Sequence, residues 1–314
     1  MIWLVVMACA GVIAALPFVF EKQRRVVDQT MRDRSGGQFA NLPSGCTNFK
    51  WAGPAEGPVI VAIHGLTTPS QVWDQITPAL TAQGYRVLSY DLFGRGLSDA
   101  PAGRQSLDFF ASQLDQLLAH EHITAPVTLM GYSMGGSIAV DVAAKSPAKI
   151  AGVLLVAPAG IILRETLFDK LCRLLPWGGD WAHAAFAAGQ MRRASTRRLP
   201  DVLRDMKAFQ LMRQGYLPAV LSSRRYALVQ LQSAAHRELA AADIPVAAIW
   251  ARKDKTIPLT AMGELARWNR TVQHIDIADA GHGLPYTHPA QTAEAAIALL
   301  QDQTAWNAAE GVKS

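Results

Sequence analysis

The sequence predicts an α/β fold on a largely parallel sheet. Two observations carry that prediction. Short, continuous apolar runs alternate with helix-length segments, as buried parallel strands joined by crossover helices do. Several of those runs close on glycine-containing loops that hold Ser, Asp or His, side chains able to carry chemistry. Half of the 314 residues are hydrophobic and 18% are charged, which excludes a disordered chain and allows one large core or two smaller ones.

The first element is apolar. Residues 1–20 carry no charged side chain, and about 20 apolar residues are what a helix needs to cross a hydrocarbon core of ~30 Å. A secretory signal normally places basic residues before its apolar stretch. Here Lys22, Arg24, Arg25, Arg32 and Arg34 all follow it. An uncleaved transmembrane anchor is expected, with the N-terminus outside and the rest of the chain in the cytoplasm by the positive-inside tendency. The alternatives are a secreted or periplasmic protein after signal cleavage, or a peripheral helix. Residues 21–37 read as a basic linker.

The sheet comes next. Residues 38–51 read as a hairpin around Pro43, Ser44 and Gly45, forming an antiparallel edge. Apolar runs at 58–63, 86–90, 126–130 and 150–156 follow as buried strands, and runs at 245–250 and 271–277 resume the pattern after a gap. The gap, 161–243, is helix-like and punctuated by Pro176, Gly178, Gly179, Pro200 and Pro218, so it reads as an insertion. It holds 13 Lys plus Arg against 7 Asp plus Glu, enough to account for the chain's formal +5. Trp177, Trp181 and Phe186 lie among those charges. A basic, aromatic-bearing cap suits anionic lipid headgroups, while a plain solvated face is the alternative. No nucleic-acid-binding module accompanies the charge. Cys9, Cys46 and Cys172 are odd in number and far apart, offering neither zinc spacing nor a disulfide framework. Residues 304–314, with Trp306, read as a tail.

The chemistry centres on Gly131-Tyr132-Ser133-Met134-Gly135-Gly136, set between the run at 126–130 and a helix-compatible stretch. A serine hydroxyl is a poor nucleophile unless it is held clear of the fold, beside a base and near backbone donors. A tight strand-to-helix corner supplies the first and third conditions. The remaining parts also follow predicted strands: Asp254 after the run at 245–250, and His282, between Gly281 and Gly283, after the run at 271–277. His64-Gly65-Leu66 closes the run at 58–63, where the N–H of Leu66 can join that of Met134 as an oxyanion donor. Ser133, Asp254 and His282 are thus the candidate triad. His64 and His288 read as structural, as do Asp91 and Asp99, which flank a glycine-rich loop.

On these residues the chain resembles the α/β-hydrolase superfamily. The match rests on His64-Gly65, on Asp91, Gly94, Gly96, Ser98 and Asp99, on the corner around Ser133, on Asp254 with Pro258, and on Gly281-His282. It covers roughly 39–303. The resemblance implies an eight-stranded, mostly parallel sheet with helices on both faces, a helical lid after the sixth strand, and a serine hydrolase needing no cofactor or metal. The organisation expected is an anchor at 1–20, a linker at 21–37, a hydrolase core at 38–160 and 244–303, and a lid at 161–243.

The motif narrows the reaction. Dehalogenases and related epoxide hydrolases of this superfamily place an aspartate where Ser133 stands, and carbon–carbon hydrolases usually place Asn where Tyr132 stands. Met134 also follows the serine in cofactor-free haloperoxidases and perhydrolases, which keeps that reaction open. Peptidases stay open too, although nothing marks a pocket for an N-terminal amine. A non-enzymatic receptor on the same fold is the reading from another class. The expectation is a monomeric carboxylesterase or lipase acting on a small-molecule or lipid ester, similar to membrane-tethered monoacylglycerol-lipase-like members.

Overall fold

The computed structural model describes residues 1–195 and 201–302. Among them an eight-stranded sheet runs in the order β1-β2-β4-β3-β5-β6-β7-β8. The strands are β1 Gln38–Leu42, β2 Gly45–Ala52, β3 Val59–Ile63, β4 Arg86–Tyr90, β5 Val127–Tyr132, β6 Ile150–Val156, β7 Val246–Ala251 and β8 Gln273–Ile277. β1 and β2 form the expected hairpin, with Leu42 facing Gly45, and β2 pairs antiparallel with β4. Every other pairing is parallel.

Strand limits differ from the expected ones for local reasons. Pro58 and Pro245 have no N–H, so each contributes only a carbonyl, to Arg86 N (2.9 Å) and Val153 N (2.9 Å), and the strands begin one residue later. Asn269 Oδ1 accepts from Thr271 N (3.0 Å), a turn that delays β8 to Gln273. β5 runs past Met130 because Gly131 and Tyr132 stay in register with Leu155 and Val156. It thereby delivers Ser133 to the sheet's carboxyl edge.

The helices are α1 Ile2–Lys22, α2 Gln29–Ser35, α3 Thr77–Ala82, α4 Leu107–His120, α5 Met134–Lys145, α6 Leu167–Leu174 and α7 Pro176–Ser195, followed by α8 Asp201–Met212, α9 Tyr216–Tyr226, α10 Ser233–Ala241, α11 Thr260–Trp268, α12 Leu284–Thr287 and α13 Pro289–Gln301. They cover both faces of the sheet. In β3, Val61 and Ile63 join a core that includes residues of α4, α5, α10 and α11. Ile60 and Ala62 point the other way, into a core with residues of α3, α12 and α13. Burial on both faces is why such strands read as unbroken apolar runs.

Among the described residues, five helices, α6 to α10, stand between β6 and β7. α6 to α9 pack on one another, whereas α10 packs on α5 and α11 and so belongs to the core layer despite lying inside 161–243. Much of this segment's positive charge is internal. Arg224 pairs with Asp169 (2.7 Å), Arg225 with Asp180 (2.5 Å) and Arg173 with Glu165 (2.8 Å). Arg213 is buried, donating to the carbonyls of Gly96 and Ser98, both at 2.6 Å. Arg197, Arg198 and the expected tail at 304–314 lie outside the described residues.

Among the described residues, α1 is the one helix long and apolar enough to cross a membrane, and only its Pro17 is buried. It is nevertheless docked. Pro17 has no N–H to give the Ile13 carbonyl four residues earlier, and the Trp181 indole N–H of α7 takes that acceptor at 3.1 Å. Phe18 packs near Trp177, ring centroids 6.5 Å apart. The stretch read as a basic linker holds α2, capped at its start by Asp28. Arg32 on α2 is not a free surface charge: it is buried, pairs with Asp99 and donates to the Leu97 carbonyl (3.2 Å).

Candidate active site

Ser133 occupies the corner between β5 and α5 with φ 53° and ψ −116°. A non-glycine residue reaches positive φ only where its surroundings over-determine it. Here they do. Its N–H donates to Val156 O (3.0 Å), and its carbonyl accepts from Gly136 N (2.9 Å) and Ala159 N (3.0 Å). The neighbouring glycines are a steric requirement. A Cβ on Gly131 would stand 2.4 Å from Gly135 O, and one on Gly135 would stand 2.1 Å from Ile63 O.

The structure brings all three predicted triad residues together. His282 Nε2 lies 3.0 Å from Ser133 Oγ, and His282 Nδ1 lies 2.8 Å from Asp254 Oδ2. Asp254 enters from the loop after β7. Its other oxygen, Oδ1, accepts from the N–H groups of Thr256 (2.7 Å) and Ile257 (2.9 Å), which fixes the carboxylate plane. His282 enters from the loop after β8. With Asp254 accepting at Nδ1, the imidazole carries its proton there and offers Nε2 to the serine hydroxyl.

Tyr132, whose identity speaks against carbon–carbon hydrolysis, also positions His282. Its hydroxyl donates to the His282 carbonyl (2.9 Å), and its ring lies 5.4 Å from the imidazole, centroid to centroid. Burial holds its phenol well above the usual tyrosine range, so it stays a neutral donor. The available signal was adjacency to Ser133 in the motif.

Leu66 and Met134, the predicted oxyanion donors, flank the same corner. Leu66 lines the cavity that holds Ser133, and Met134 opens α5, where helix geometry leaves its N–H without an intrahelical acceptor. His64 shapes this loop as expected. Its Nδ1–H donates to Gly65 O (2.8 Å) and its Nε2 accepts from Leu92 N (2.8 Å), a pattern open only to the neutral ring. Burial lowers its pKa to about 4, in keeping with that tautomer.

The loop carrying Asp91 and Asp99 is structural. Asp91 accepts from Ser70 N (2.8 Å), Asn48 Nδ2 (2.7 Å) and Leu97 N (3.0 Å). Arg95 in the same loop is fully buried and donates to Phe93 O (2.8 Å), Ser223 Oγ (2.8 Å) and Leu66 O (3.2 Å). Burial pushes its guanidinium down to about 9. His288 lies at the start of α13 with Nδ1 2.9 Å from Thr287 Oγ1, apart from the triad.

Above Ser133 opens a cavity of about 460 Å³. The insertion supplies one wall, with Leu163, Met191, Leu211 and Tyr216, and Ile257 lines it from the core. Arg164, Lys207 and Arg224 also line it, and among its described lining residues there is no Asp or Glu. Burial lowers the pKa of Lys207, the sign of an ammonium held away from water.

Comparison with known proteins agrees with this geometry. The family model described as serine aminopeptidase, S33, matches residues 55–284. An uncharacterised protein of Mycobacterium tuberculosis is 32% identical over 143 residues, 46% of this chain and 40% of that protein. The match thus spans well under half of that relative's length. Among solved structures, a thermophilic esterase from Thermogutta terrifontis superposes with a TM-score of 0.70 at 22% identity, covering 84% of this chain and 98% of the esterase. A membrane phospholipase A, described as a bacterial virulence factor, superposes with a TM-score of 0.69 at 17% identity, covering 95% of this chain and 96% of that one. Both likenesses are of fold. The extent of the family match, over an eight-stranded sheet with Ser133 at its corner, places the chain in the S33 family of the α/β-hydrolase superfamily.

Proposed function

We propose that this hydrolase cleaves carboxylic esters through an acyl-serine intermediate, with an amphiphile drawn from a membrane as substrate. The observation that carries the reading is the hydrogen-bonded chain from Asp254 through His282 to Ser133, at 2.8 and 3.0 Å, at the floor of the cavity. His282 takes the serine proton as Oγ attacks the ester carbonyl, and the N–H groups of Leu66 and Met134 hold the oxyanion. His282 then protonates the leaving alcohol and activates the water that releases the acid. Asp254 orients the ring and stabilises the imidazolium throughout.

The cavity's lining supports an amphiphilic ester. Leu163, Met191 and Leu211 suit an acyl chain, while Arg164 suits an anionic group on the same molecule. An aminopeptidase, as the family's description has it, must hold an α-ammonium, and among the cavity's described lining residues no Asp or Glu stands to take one. The docking of α1 on α7 supports an uncleaved, membrane-inserted α1. The exposed Leu167, Leu171, Leu174 and Trp177 support lipid contact by the insertion.

A panel of p-nitrophenyl esters of rising chain length, with wild type and Ser133→Ala, tests the chemistry. The expectation is hydrolysis by wild type and a loss of about 10⁴-fold or more in the variant. Equal rates, or no hydrolysis by either protein, defeat the esterase reading. Halogenation without ester cleavage would favour the perhydrolase chemistry that Met134 keeps open. Glycerol esters of one acyl chain, with neutral or phosphate-bearing heads, test the charge argument, which fails if the neutral head is preferred.

A further inference from the structure

α8 ends at Met212 and α9 begins at Tyr216, and the turn between them is capped from a distance. A helix leaves its last carbonyls and first N–H groups without intrahelical partners, and neighbouring residues usually satisfy them. Here the last turn of α1 and the residues that follow it, nearly two hundred residues earlier, do so. The Met212 carbonyl accepts from Arg25 N (2.9 Å), and Gln214 N donates back to Arg25 O (2.7 Å). The Gln214 side chain donates to Lys22 O (3.0 Å), and the Arg24 guanidinium donates to Leu211 O. Gly215, at φ +83°, donates its N–H to Glu21 Oε1 at 2.8 Å.

The other side of the same turn faces the substrate cavity. Leu211 and Tyr216 line it, and the Tyr216 hydroxyl donates to Thr67 O (3.3 Å), one residue beyond the oxyanion donor Leu66. Arg213 meanwhile ties the turn to the Gly96 and Ser98 carbonyls.

We infer that Glu21 and the 22–25 segment are a positioning element of the substrate cavity, holding the Leu211–Tyr216 wall in place, so that the N-terminal segment acts on substrate fit as well as on location. The link to substrate fit rests on the ester-hydrolase reading above. The clamp itself does not. Glu21 is its key side chain, because a carboxylate accepting from Gly215 replaces the cap that α9's own sequence lacks. Without it the ends of α8 and α9 fray, and the wall that contacts a long acyl chain loosens while the Ser133 corner, anchored on β5 and β6, does not.

Two measurements on the full-length protein in detergent micelles test this. The first is amide hydrogen exchange in wild type, Glu21→Ala and Glu21→Gln. Exchange across 211–216 should rise about tenfold in the alanine variant, as expected for loss of a charge-assisted hydrogen bond, and return most of the way in the glutamine variant, whose amide oxygen still accepts. Unchanged exchange in the alanine variant overturns the clamp, and so does a rise spread equally over the sheet strands. The second is the ratio of kcat/KM for p-nitrophenyl decanoate to that for the butyrate. It should fall by roughly fivefold or more in Glu21→Ala, through KM, and recover in Glu21→Gln. Faster exchange with an unchanged ratio overturns the link to substrate fit. If wild type cleaves neither ester, the ester-hydrolase reading and this link fall together, and the exchange result still decides the clamp.

Discussion

Asp254→Asn is expected to invert the tautomer of His282 while leaving the fold in place. Asp254 Oδ1 accepts two backbone N–H groups, from Thr256 and Ile257, whereas Oδ2 meets the single Nδ1 of His282. An asparagine has one acceptor end and one donor end. Pointing its NH₂ at two N–H groups would lose two hydrogen bonds and set donors against donors, so its oxygen takes the Oδ1 place and its NH₂ turns toward His282. Nδ1 must then accept, and the ring's proton moves to Nε2, 3.0 Å from Ser133 Oγ, where a base is required. The serine loses its proton acceptor. The expected cost is about 10⁴-fold in kcat, which corresponds to ~5 kcal/mol of transition-state stabilisation. Stability should fall by less than about 3 kcal/mol, because one charge-assisted hydrogen bond is exchanged for a neutral one. Steady-state hydrolysis of p-nitrophenyl butyrate and a chemical denaturation curve measure the two quantities. A variant that stays folded and retains more than about a hundredth of wild-type kcat would refute the argument that the backbone of Thr256 and Ile257 dictates the tautomer.

Two further outcomes follow from the same geometry. Gly135→Ala drives a Cβ to 2.1 Å from Ile63 O and 2.7 Å from His64 O, both backbone atoms; a loss of about 3 kcal/mol or more is expected, visible as a lower thermal midpoint or insoluble expression. His64, His183 and His236 each have a folded-state pKa lowered to about 4 by burial, against 6.5 for an ordinary histidine. The folded state therefore binds fewer protons than the unfolded one between those values, so their contribution is fully present above pH 6.5 and is lost as pH falls toward 4. Each should add about 1 kcal/mol per pH unit to the slope in that window, and a His236→Gln variant with an unchanged slope would count against it.

The site was legible where its parts are local. Ser133, Asp254 and His282 each follow an apolar run, and glycine or proline marks their turns, so spacing alone located them. The parts that join distant stretches left no such trace. Tyr132 reaches the carbonyl of His282 and Arg213 reaches the carbonyls of Gly96 and Ser98. Backbone acceptors look alike in every sequence, so nothing in the motif names the recipient. Arg32 shows the same limit from the other side. It stands in a stretch that reads as a basic linker, yet Asp99 and the Leu97 carbonyl draw it into the core. The sheet was legible to within a residue or two at each end, because burial on both faces makes its strands uniformly apolar. α10 was assigned with its neighbours in the insertion because sequence order does not record which helices pack on α5.

The proline in α1 sets a draught line for the whole molecule. From the Ile13 carbonyl onward the helix is moored along α7, and only Ile2 to Val12 project beyond that contact. At 1.5 Å per residue the projecting part is about 16 Å long, roughly half the thickness of a hydrocarbon core. A helix sunk over its full length must therefore take part of the hull with it. Trp177, Trp181 and the outward leucines of α6 would ride below the headgroups, and the Trp181 N–H, costly to bring into lipid unpaired, already has its acceptor. Under the proposed insertion of α1, this geometry would have the protein float partly submerged in one leaflet instead of standing off it on a stalk, with Leu163, at once exposed and part of the cavity wall, on the side of the molecule that α1 shares with the insertion's outward leucines.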